Sequence, residues 1–404
     1  MSRQPIVAGE RRLIGWQLVF GSASGETLSS NAERSEPYLE ALLEFGGSAR
    51  WDSLLCGARA VLAVDRRILF SEVLECMPRN RLLLGLAPLD EVDANLSNRL
   101  HDLNSRRGTR LLFLDYHRRD KREQLLDLAD AVQIDAFGLD AETQGLLVRR
   151  AQRRKLQILA SSIQRDVDFV RFREAGFDML HGQSYSDPSK SDETRATADG
   201  RVLIQLLVEA RGELEIEKVT KQFDAHESLK EGLLRLVNSL ELARAQKIES
   251  VGQALVMIGA KGLSRWLNLL LFQIGSRHGT RGPLFRVAAS RARLMELAVV
   301  GSGTEDPAIK QKAETAFLVG ILSLVHVLLG VDRKAAITGL TLPPEMTAAL
   351  SGYEGQLGRL LRLSECLDAG EFPEVVEIAA ELGLAPATLW VHQSEAYDWV
   401  MRMI

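Results

Sequence analysis

Short apolar runs recur between residues 57 and 188 at a nearly constant spacing, and polar segments of helical length separate them. A continuous apolar run is typical of a strand buried on both faces, and strands that alternate with helices form parallel sheets. A period of about 20–28 residues predicts a (β/α) barrel or a doubly wound sheet. The six runs are residues 60–65, 82–86, 111–115, 131–135, 156–161 and 179–182.

Two further apolar runs precede this series. Residues 6–8 and 13–20 lie on either side of a turn at Gly9, which predicts an opening hairpin or a first strand. Residues 23–35 are rich in Ser, Gly, Asn and Glu and predict a surface loop. The first part of the chain is therefore an α/β domain.

The pattern changes after residue 184. Residues 184–200 are almost without apolar side chains, which is the composition of a linker. From Val202 onward apolar residues return at helical spacing, with Leu203, Leu206 and Leu207 as the first examples. We predict a barrel domain over 1–190, a linker over 191–200 and an all-helical domain over 201–404.

Composition favours neither nucleic acid nor a membrane as a partner. The net charge of −4 comes from 50 basic and 54 acidic residues, which gives no overall attraction to polyanions. The longest apolar run, residues 317–329, is interrupted by Ser323 and His326, so it predicts a buried helix without membrane insertion. Three cysteines without a C-x-x-C spacing fit a reducing compartment, and we expect a cytoplasmic protein.

The barrel residues resemble a known family. The segments 3–6 and 15–19, the strand series, and Gly176-Phe177-Asp178 leading to Gly182 together resemble an EAL domain, the cyclic di-GMP phosphodiesterase fold. The resemblance implies a barrel of the TIM type. Residues 1–190 are fewer than the ~250 that a full barrel typically uses, so we expect a trimmed barrel with shortened or missing elements.

The second domain resembles another family. Residues 233–239, then 248–259 with the pattern Ile-x-Ser-Val-x-Gln-Ala-Leu-x-x-x-Gly, and then 263–267 are similar to an HDOD domain. The ordered pair resembles the bacterial EAL–HDOD signalling proteins. This family implies interaction with other proteins.

The resemblance also locates the positions at which an active EAL domain carries its metal ligands and catalytic lysine. The signature glutamate of the first strand falls on Gln17, which offers only a neutral oxygen. The family's asparagine and second-strand glutamate fall on Ala63 and Gly85. The later positions of the set are Leu114, Asp115, Gln133, Asp135, Ser161, Gln164 and His181.

Asp115 and Asp135 are the two carboxylates that remain in this set. Hydrolysis on paired divalent metals needs several oxygen ligands, since each hard cation takes six or more. We therefore predict a degenerate site with no catalytic residue, no metal and no cofactor. The strand-end arginine of the family falls on Gly21, so cyclic di-GMP binding is not favoured either.

Four residues of the helical domain are candidates for a structural or interaction role. Asn238 and Trp266 lie in the HDOD-like segments, and Arg291 and Glu296 match a family motif in the run Ala-Ser-Arg-Ala-Arg-Leu-Met-Glu. Arg293 and Glu296 share one helical face, which favours an ion pair that orders the helix.

The lost ligand positions beside the retained apolar framework lead us to predict a regulatory scaffold that is not an enzyme and that acts through unidentified signalling proteins. The family resemblance implies motility, biofilm, virulence or stress responses as its outputs. A homo-oligomer is left open. Two alternatives remain, a receptor that binds cyclic di-GMP without cleaving it and a weak metal-dependent cyclic di-GMP phosphodiesterase.

Overall fold

The computed structural model describes residues 1–404 except 10, 23, 29–34, 47–50, 56, 90, 136, 187–202, 204–205, 207–215, 240–246, 276–278, 302–305, 341 and 404. The chain forms two compact units. The first is Met1–Asp187 with Cys366–Val376, and the second is Pro188–Glu365 with Glu377–Ile404. The predicted linker over 191–200 lies outside the described residues.

Eight strands of the first unit close into a barrel, which confirms the predicted fold class. Strand order is β1-β9-β8-β7-β6-β5-β4-β2-β3, and β1 also pairs with β2 to close the ring. Within the ring only β1 is antiparallel to its neighbours, and β3 is a hairpin partner of β2 outside it. The strands are β1 (Ser2–Ala8), β2 (Leu13–Gly21), β3 (Thr27–Leu28), β4 (Arg59–Val64), β5 (Leu82–Leu86), β6 (Arg110–Phe113), β7 (Ala131–Ile134), β8 (Gln157–Ala160) and β9 (Met179–His181).

The barrel interior contains one apolar layer to which most strands contribute a side chain. Burial of a Val, Leu, Ile or Met side chain stabilises the fold by roughly 1.5–3 kcal/mol, so this layer fixes which face of each strand points inward. Its members are Ile6, Val61, Leu112, Ala131, Leu159 and Met179, with Ile14, Leu83 and Leu114 packed against them.

The expected trimming falls on the helices, and the ring of strands is complete. Lys121–Leu128, between β6 and β7, is a 3₁₀ helix, and Glu72–Cys76 and Arg79–Arg81 are short 3₁₀ turns before β5. The α-helices of this unit are α1 (Ser35–Gly46), α2 (Trp51–Leu55), α3 (Arg66–Leu69), α4 (Ala94–Arg107), α5 (Ala141–Arg153) and α6 (Asp166–Glu174).

Aspartates begin several of these helices. Asp93 accepts a hydrogen bond from the backbone N–H of Leu96 at 2.8 Å, and Asp140 accepts one from Thr143 at 2.8 Å. Such a cap satisfies a backbone donor that has no partner within the helix. The same bond holds the pKa of the Asp140 carboxyl below its usual value.

The described part of the second unit is helical, as predicted. Helix α10 packs against α11 and α17, and α9 contains a kink at Gly259, where φ is 70° and ψ is 161°. The helices are α7 (Ile216–Asp224), α8 (Glu227–Ser239), α9 (Val251–Gly275), α10 (Pro283–Val300), α11 (Pro307–Leu322), α12 (Val325–Leu329), α13 (Arg333–Gly339), α14 (Pro344–Gly352), α15 (Gly355–Ala369), α16 (Phe372–Glu381) and α17 (Pro386–Met401).

Cys366–Val376 departs from the predicted domain limits. The sequence pattern placed all of 201–404 in one domain, whereas this segment belongs to the barrel unit. Two backbone carbonyls in it accept hydrogen bonds from β1 side chains, Asp368 from Ser2 at 3.0 Å and Ala369 from Gln4 at 2.7 Å. Hydrogen bonds over such a distance in sequence leave no periodic signal.

Among the described residues, no single helix has the length and apolar character needed to cross a membrane. Helices α16 and α17 reach that length and apolar character only when they are taken together, and the chain bends by 106° between them.

Candidate functional site at the barrel mouth

Parallel strands of a barrel finish at the same end, where this fold places functional groups, and we call that end the mouth. Successive side chains of a strand alternate between the two faces, so residues two positions beyond the apolar layer also point inward. Gln17 belongs to this inward set because it pairs directly with Val61 and with Gln4. The inward positions at the mouth are Gln4, Gln17, Ala63, Gly85, Leu114, Gln133, Ser161 and His181.

The structure thus places most of the sequence-predicted site positions together in one layer. An apolar side chain fills part of it. A β-carbon added at Gly85 would lie 3.0 Å from Cδ1 of Leu114, so Leu114 occupies the space beside β5. Gly85 and Leu114 stand where the family resemblance places metal ligands on adjacent strands, and here they form a packing contact.

Asp115 and Asp135 lie at the rim of the mouth and are exposed. Asp115 adopts a left-handed backbone with φ 49°, and Asp135 accepts a hydrogen bond from the backbone N–H of Phe137 at 2.9 Å. Within the described residues, neither belongs to a cluster of three His, Cys, Asp or Glu with ligand atoms close enough to share an ion. The inward donors are neutral amides, a hydroxyl and an imidazole, so they do not fit a pair of hard divalent cations.

His181 is the titratable group of the inward layer. Its Nε2 lies 2.7 Å from Oε1 of Gln4, and the Nε2 of Gln4 donates to the Ala369 carbonyl. Because an amide oxygen can only accept, the Nε2–H of His181 is the donor in this bond. Burial lowers the pKa of His181 to about 4, so the imidazole is neutral at pH 7.

The loop after β8 is locked to β9. The backbone N–H of Ile163 donates to the His181 carbonyl at 2.9 Å, and Ser184 donates back to Ile163 at 3.1 Å. Gly182 has φ 145° and approaches the Ile163 backbone too closely for a β-carbon. This contact holds His181 in place, whereas Gln164, just beyond it, is exposed.

A buried arginine that sequence reasoning missed fixes two strand ends at the mouth. Arg122 is 0% exposed, and its guanidinium donates to the carbonyls of Leu86 and Leu114, the latter at 2.6 Å. Asp120 balances its charge at 2.5 Å. The Asp-x-Arg spacing of Asp120 and Arg122 is compatible with a buried ion pair. It was not used as a signal, because charged residues in a polar segment are normally exposed to solvent.

The candidate residues of the second unit have structural partners. The Asn238 side chain donates to the Leu234 carbonyl at 2.7 Å and to the Ile248 carbonyl at 2.9 Å, and accepts from the Ile248 N–H at 2.9 Å. It therefore joins α8 to the chain before α9. Trp266 is 7% exposed and belongs to the core.

The charged candidates form two ion-pair networks. Glu296 binds Arg265 at 2.5 Å and Arg293 at 2.7 Å, as the helical spacing predicted for Arg293. Arg291 donates to Ser323 at 2.8 Å and pairs with Glu365 at 3.2 Å. These contacts support a structural role, and an interaction role for the four residues stays a prediction.

The second network surrounds a histidine that is neutral at pH 7. Tyr353 donates to Glu365 at 2.6 Å, and Arg333 pairs with the same carboxylate at 3.2 Å. Burial and the positive charge of Arg333 lower the pKa of His326 to about 4. His326 lies in α12, and the apolar run 317–329 that the sequence predicted as one buried helix is divided between α11 and α12.

One cluster of potential cation ligands lies elsewhere in the first unit. The ligand atoms of Cys366, Glu371 and Glu374 lie within 4.8 Å of one another. Cys366 is buried and Glu371 is exposed. The cluster lies in Cys366–Val376, the segment that joins the barrel unit.

Comparison with known families identifies one part of the second unit. Residues 201–331 match the HDOD domain family. This chain carries an HDOD domain. Over 99% of its length it is 25% identical to a Vibrio cholerae serotype O1 protein named cyclic di-GMP phosphodiesterase CdgJ, covering 91% of that protein. It is 22% identical over 100% of its length to the uncharacterized protein YuxH of Bacillus subtilis, covering 98% of it.

Solved structures with a similar chain path include Klebsiella pneumoniae BlrP1 in a calcium and cyclic di-GMP complex, with a TM-score of 0.37 and 14% identity over 45% of this chain and 53% of that chain. An EAL domain protein of Listeria monocytogenes has a TM-score of 0.36 and 14% identity over 45% of this chain and 85% of that one.

The match over 201–331 confirms the predicted HDOD domain, and the two relatives match this chain from end to end. They also contradict one prediction. We expected a protein that is not an enzyme. However, CdgJ, which matches this chain over 99% of its length, is named as a phosphodiesterase. The prediction rested on counting ligand positions, and the relationship to an enzyme overturns it.

Proposed function

We propose that this EAL–HDOD protein acts in cyclic di-GMP signalling and that its barrel mouth binds the nucleotide and hydrolyses it slowly. The observation that carries the proposal is the relationship to CdgJ along 99% of the chain. Hydrolysis adds one water across a phosphodiester bond and opens the ring to a linear dinucleotide.

The side chains at the mouth suit a polar, hydrogen-bonding ligand. Gln17, Gln133 and Ser161 are partly exposed and lie on the inward face. Neutral His181 gives its Nε2–H to Gln4, so its Nδ1 is left as an acceptor for an N–H or O–H group of the nucleotide and adds no charge. The family's paired divalent cations are implied by the relatives, but these donors do not fit them, which is why we expect slow turnover.

Asp115 and Asp135 are the carboxylates that would assist hydrolysis. Both are exposed and follow β6 and β7 at the end of the barrel where the mouth lies. Asp115→Asn keeps the shape and removes the charge. We expect this variant to lose most of the residual hydrolysis while nucleotide binding persists.

Calorimetric titration of cyclic di-GMP into the full chain tests the binding site, with chromatography of the linear product as the second measurement. Gln133→Leu should weaken binding about tenfold through the loss of a hydrogen bond. Gln157→Leu is the matched control, because Gln157 lies at the opposite end of the barrel, at the start of β8. Equal affinity of both variants, or no binding by the wild-type chain, contradicts the proposal.

We also propose that the HDOD domain passes the signal to other signalling proteins. Two large apolar side chains of α9 are exposed, Val256 at 75% and Met257 at 47%. Contiguous exposed apolar surface marks interaction sites, and these two side chains are adjacent in the sequence. Affinity capture from host cells with the wild-type chain and with the double variant Val256→Ser and Met257→Ser tests this. Unchanged partners for the variant would contradict it.

A further inference from the structure

A segment far along the chain lies against the inward face of the barrel mouth. We call Cys366–Val376 the cover segment. Ser2 donates to the Asp368 carbonyl at 3.0 Å, and Gln4 donates to the Ala369 carbonyl at 2.7 Å. Ser2 and Gln4 alternate with Ile6 of the apolar layer, so their side chains point into the barrel.

The cover segment also contacts the end of β2. Gly21 alternates with Gln17 and shares its inward face, and the Phe372 ring occupies the space where a β-carbon of Gly21 would lie. Phe372 is 3% exposed. A β-carbon at Gly25 would lie 2.9 Å from Cα of Pro373. Two glycines of the barrel therefore provide the room that Phe372 and Pro373 use.

These contacts lie at the mouth and not at the opposite end. Gly21 is the last residue of β2, which runs parallel to β4. Ser2 is the first residue of β1, which is antiparallel to β2 and pairs Ser2 with Val19. Both positions are thus at the end where the parallel strands finish. The Gln4 side chain then connects the cover segment to His181 of the inward layer.

We propose that the cover segment is a gate over the β1 and β2 side of the mouth and must move before cyclic di-GMP can enter. This inference rests on the proposed function of the mouth. The segment consists of the end of α15, a turn and the start of α16, and at both of its ends the chain continues into the second unit, so the gate is covalently joined to that unit on both sides.

The variant Gly21→Ala tests the gate without changing the segment itself. Gly21 does not have a positive φ, so the backbone accepts alanine, but the new methyl group must displace the Phe372 ring. Gly9→Ala is the matched control, because its β-carbon would meet only the Arg173 side chain, at an ordinary 3.6 Å from Cδ. Phe372→Ala is a second, independent way to release the segment.

Release is measured first, without nucleotide. Peptide-resolved thiol labelling measures how fast Cys366, which is 0% exposed, becomes accessible to a reagent. Amide hydrogen exchange measures how fast the backbone of residues 366–376 opens. We expect Gly21→Ala and Phe372→Ala to speed both about tenfold or more, with Gly9→Ala unchanged. Circular dichroism identifies a variant that has lost its fold. Labelling and exchange at wild-type rates in a folded Gly21→Ala protein would overturn the gate.

Nucleotide binding is measured next in the same proteins. The gate predicts that cyclic di-GMP binds the released variants about tenfold more tightly and is hydrolysed faster. If the wild-type chain binds and the released variants bind equally well, the gate is wrong and the proposed function stands. If neither the wild-type chain nor the released variants bind cyclic di-GMP, both the proposed function and the gate are wrong.

Discussion

Gln4 and His181 share a hydrogen bond of 2.7 Å at the barrel mouth, and the same glutamine donates to the Ala369 carbonyl. Strands β1 and β9 pair directly, which brings the two side chains to one inward face. The bond assigns the imidazole proton to Nε2 and holds the ring in a single orientation. One side chain thus orders both the strand-end layer and the segment that covers it.

The stability of the barrel unit should fall as the pH drops from about 6.5 to 4. The pKa of His181 is lowered to about 4 by burial, so the unfolded chain binds a proton in this range and the folded chain does not. A pKa that differs by one between the folded and unfolded chains corresponds to about 1.4 kcal/mol, so we expect a loss on the order of 1–3 kcal/mol.

Urea unfolding at pH 7 and pH 5 measures this loss, and His181→Asn should reduce it because asparagine does not titrate. His326 contributes in the same direction through its own lowered pKa, so the comparison must be made between variants and not between pH values alone. An equal loss in the wild-type chain and the His181→Asn variant would contradict the assignment.

Arg122→Met should destabilise the barrel unit by about 3–5 kcal/mol. The substitution leaves the Asp120 carboxylate buried without its partner and frees the carbonyls of Leu86 and Leu114. Adding Asp120→Asn should recover part of this loss, because it removes the uncompensated charge. Chemical unfolding of both single variants and of the double variant measures the coupling, and simple additivity would contradict it.

Asn238→Ala should destabilise the second unit by about 1–3 kcal/mol. The amide makes three hydrogen bonds to backbone groups, two of them to Ile248, and alanine leaves those groups without this partner. Gln311→Ala on the exposed face of α11 is the control and should change stability by less than about 0.5 kcal/mol. Thermal unfolding followed by circular dichroism compares them, and equal midpoints would argue against a structural role for Asn238.

Much of the barrel could be predicted because its strands are continuous apolar runs with a regular spacing. Residues 60–65, for example, include all of β4 except Arg59, and β4 pairs in register with β5. The pairing of β1 with β9 was harder to predict, because the two strands are antiparallel and β9 has only three residues. The short connections formed by 3₁₀ helices were also hidden, because polar segments of this length resemble ordinary helices.

The site was predictable in position but not in its surroundings. Resemblance placed Gly85, Leu114 and His181 at strand ends, and alternation brings them to one layer. The contact between Gln4 and Ala369 spans 365 positions, and no local pattern encodes it. Arg122 was missed for a related reason, since its partners are backbone carbonyls that the sequence does not distinguish.

The most direct test of the account is a side-by-side titration of cyclic di-GMP into the wild-type chain, Gly21→Ala and Gln133→Leu by calorimetry. The account predicts that Gly21→Ala binds about tenfold more tightly than the wild-type chain and Gln133→Leu about tenfold more weakly. Absence of binding in all three proteins would contradict the central claim that the barrel mouth is a cyclic di-GMP site.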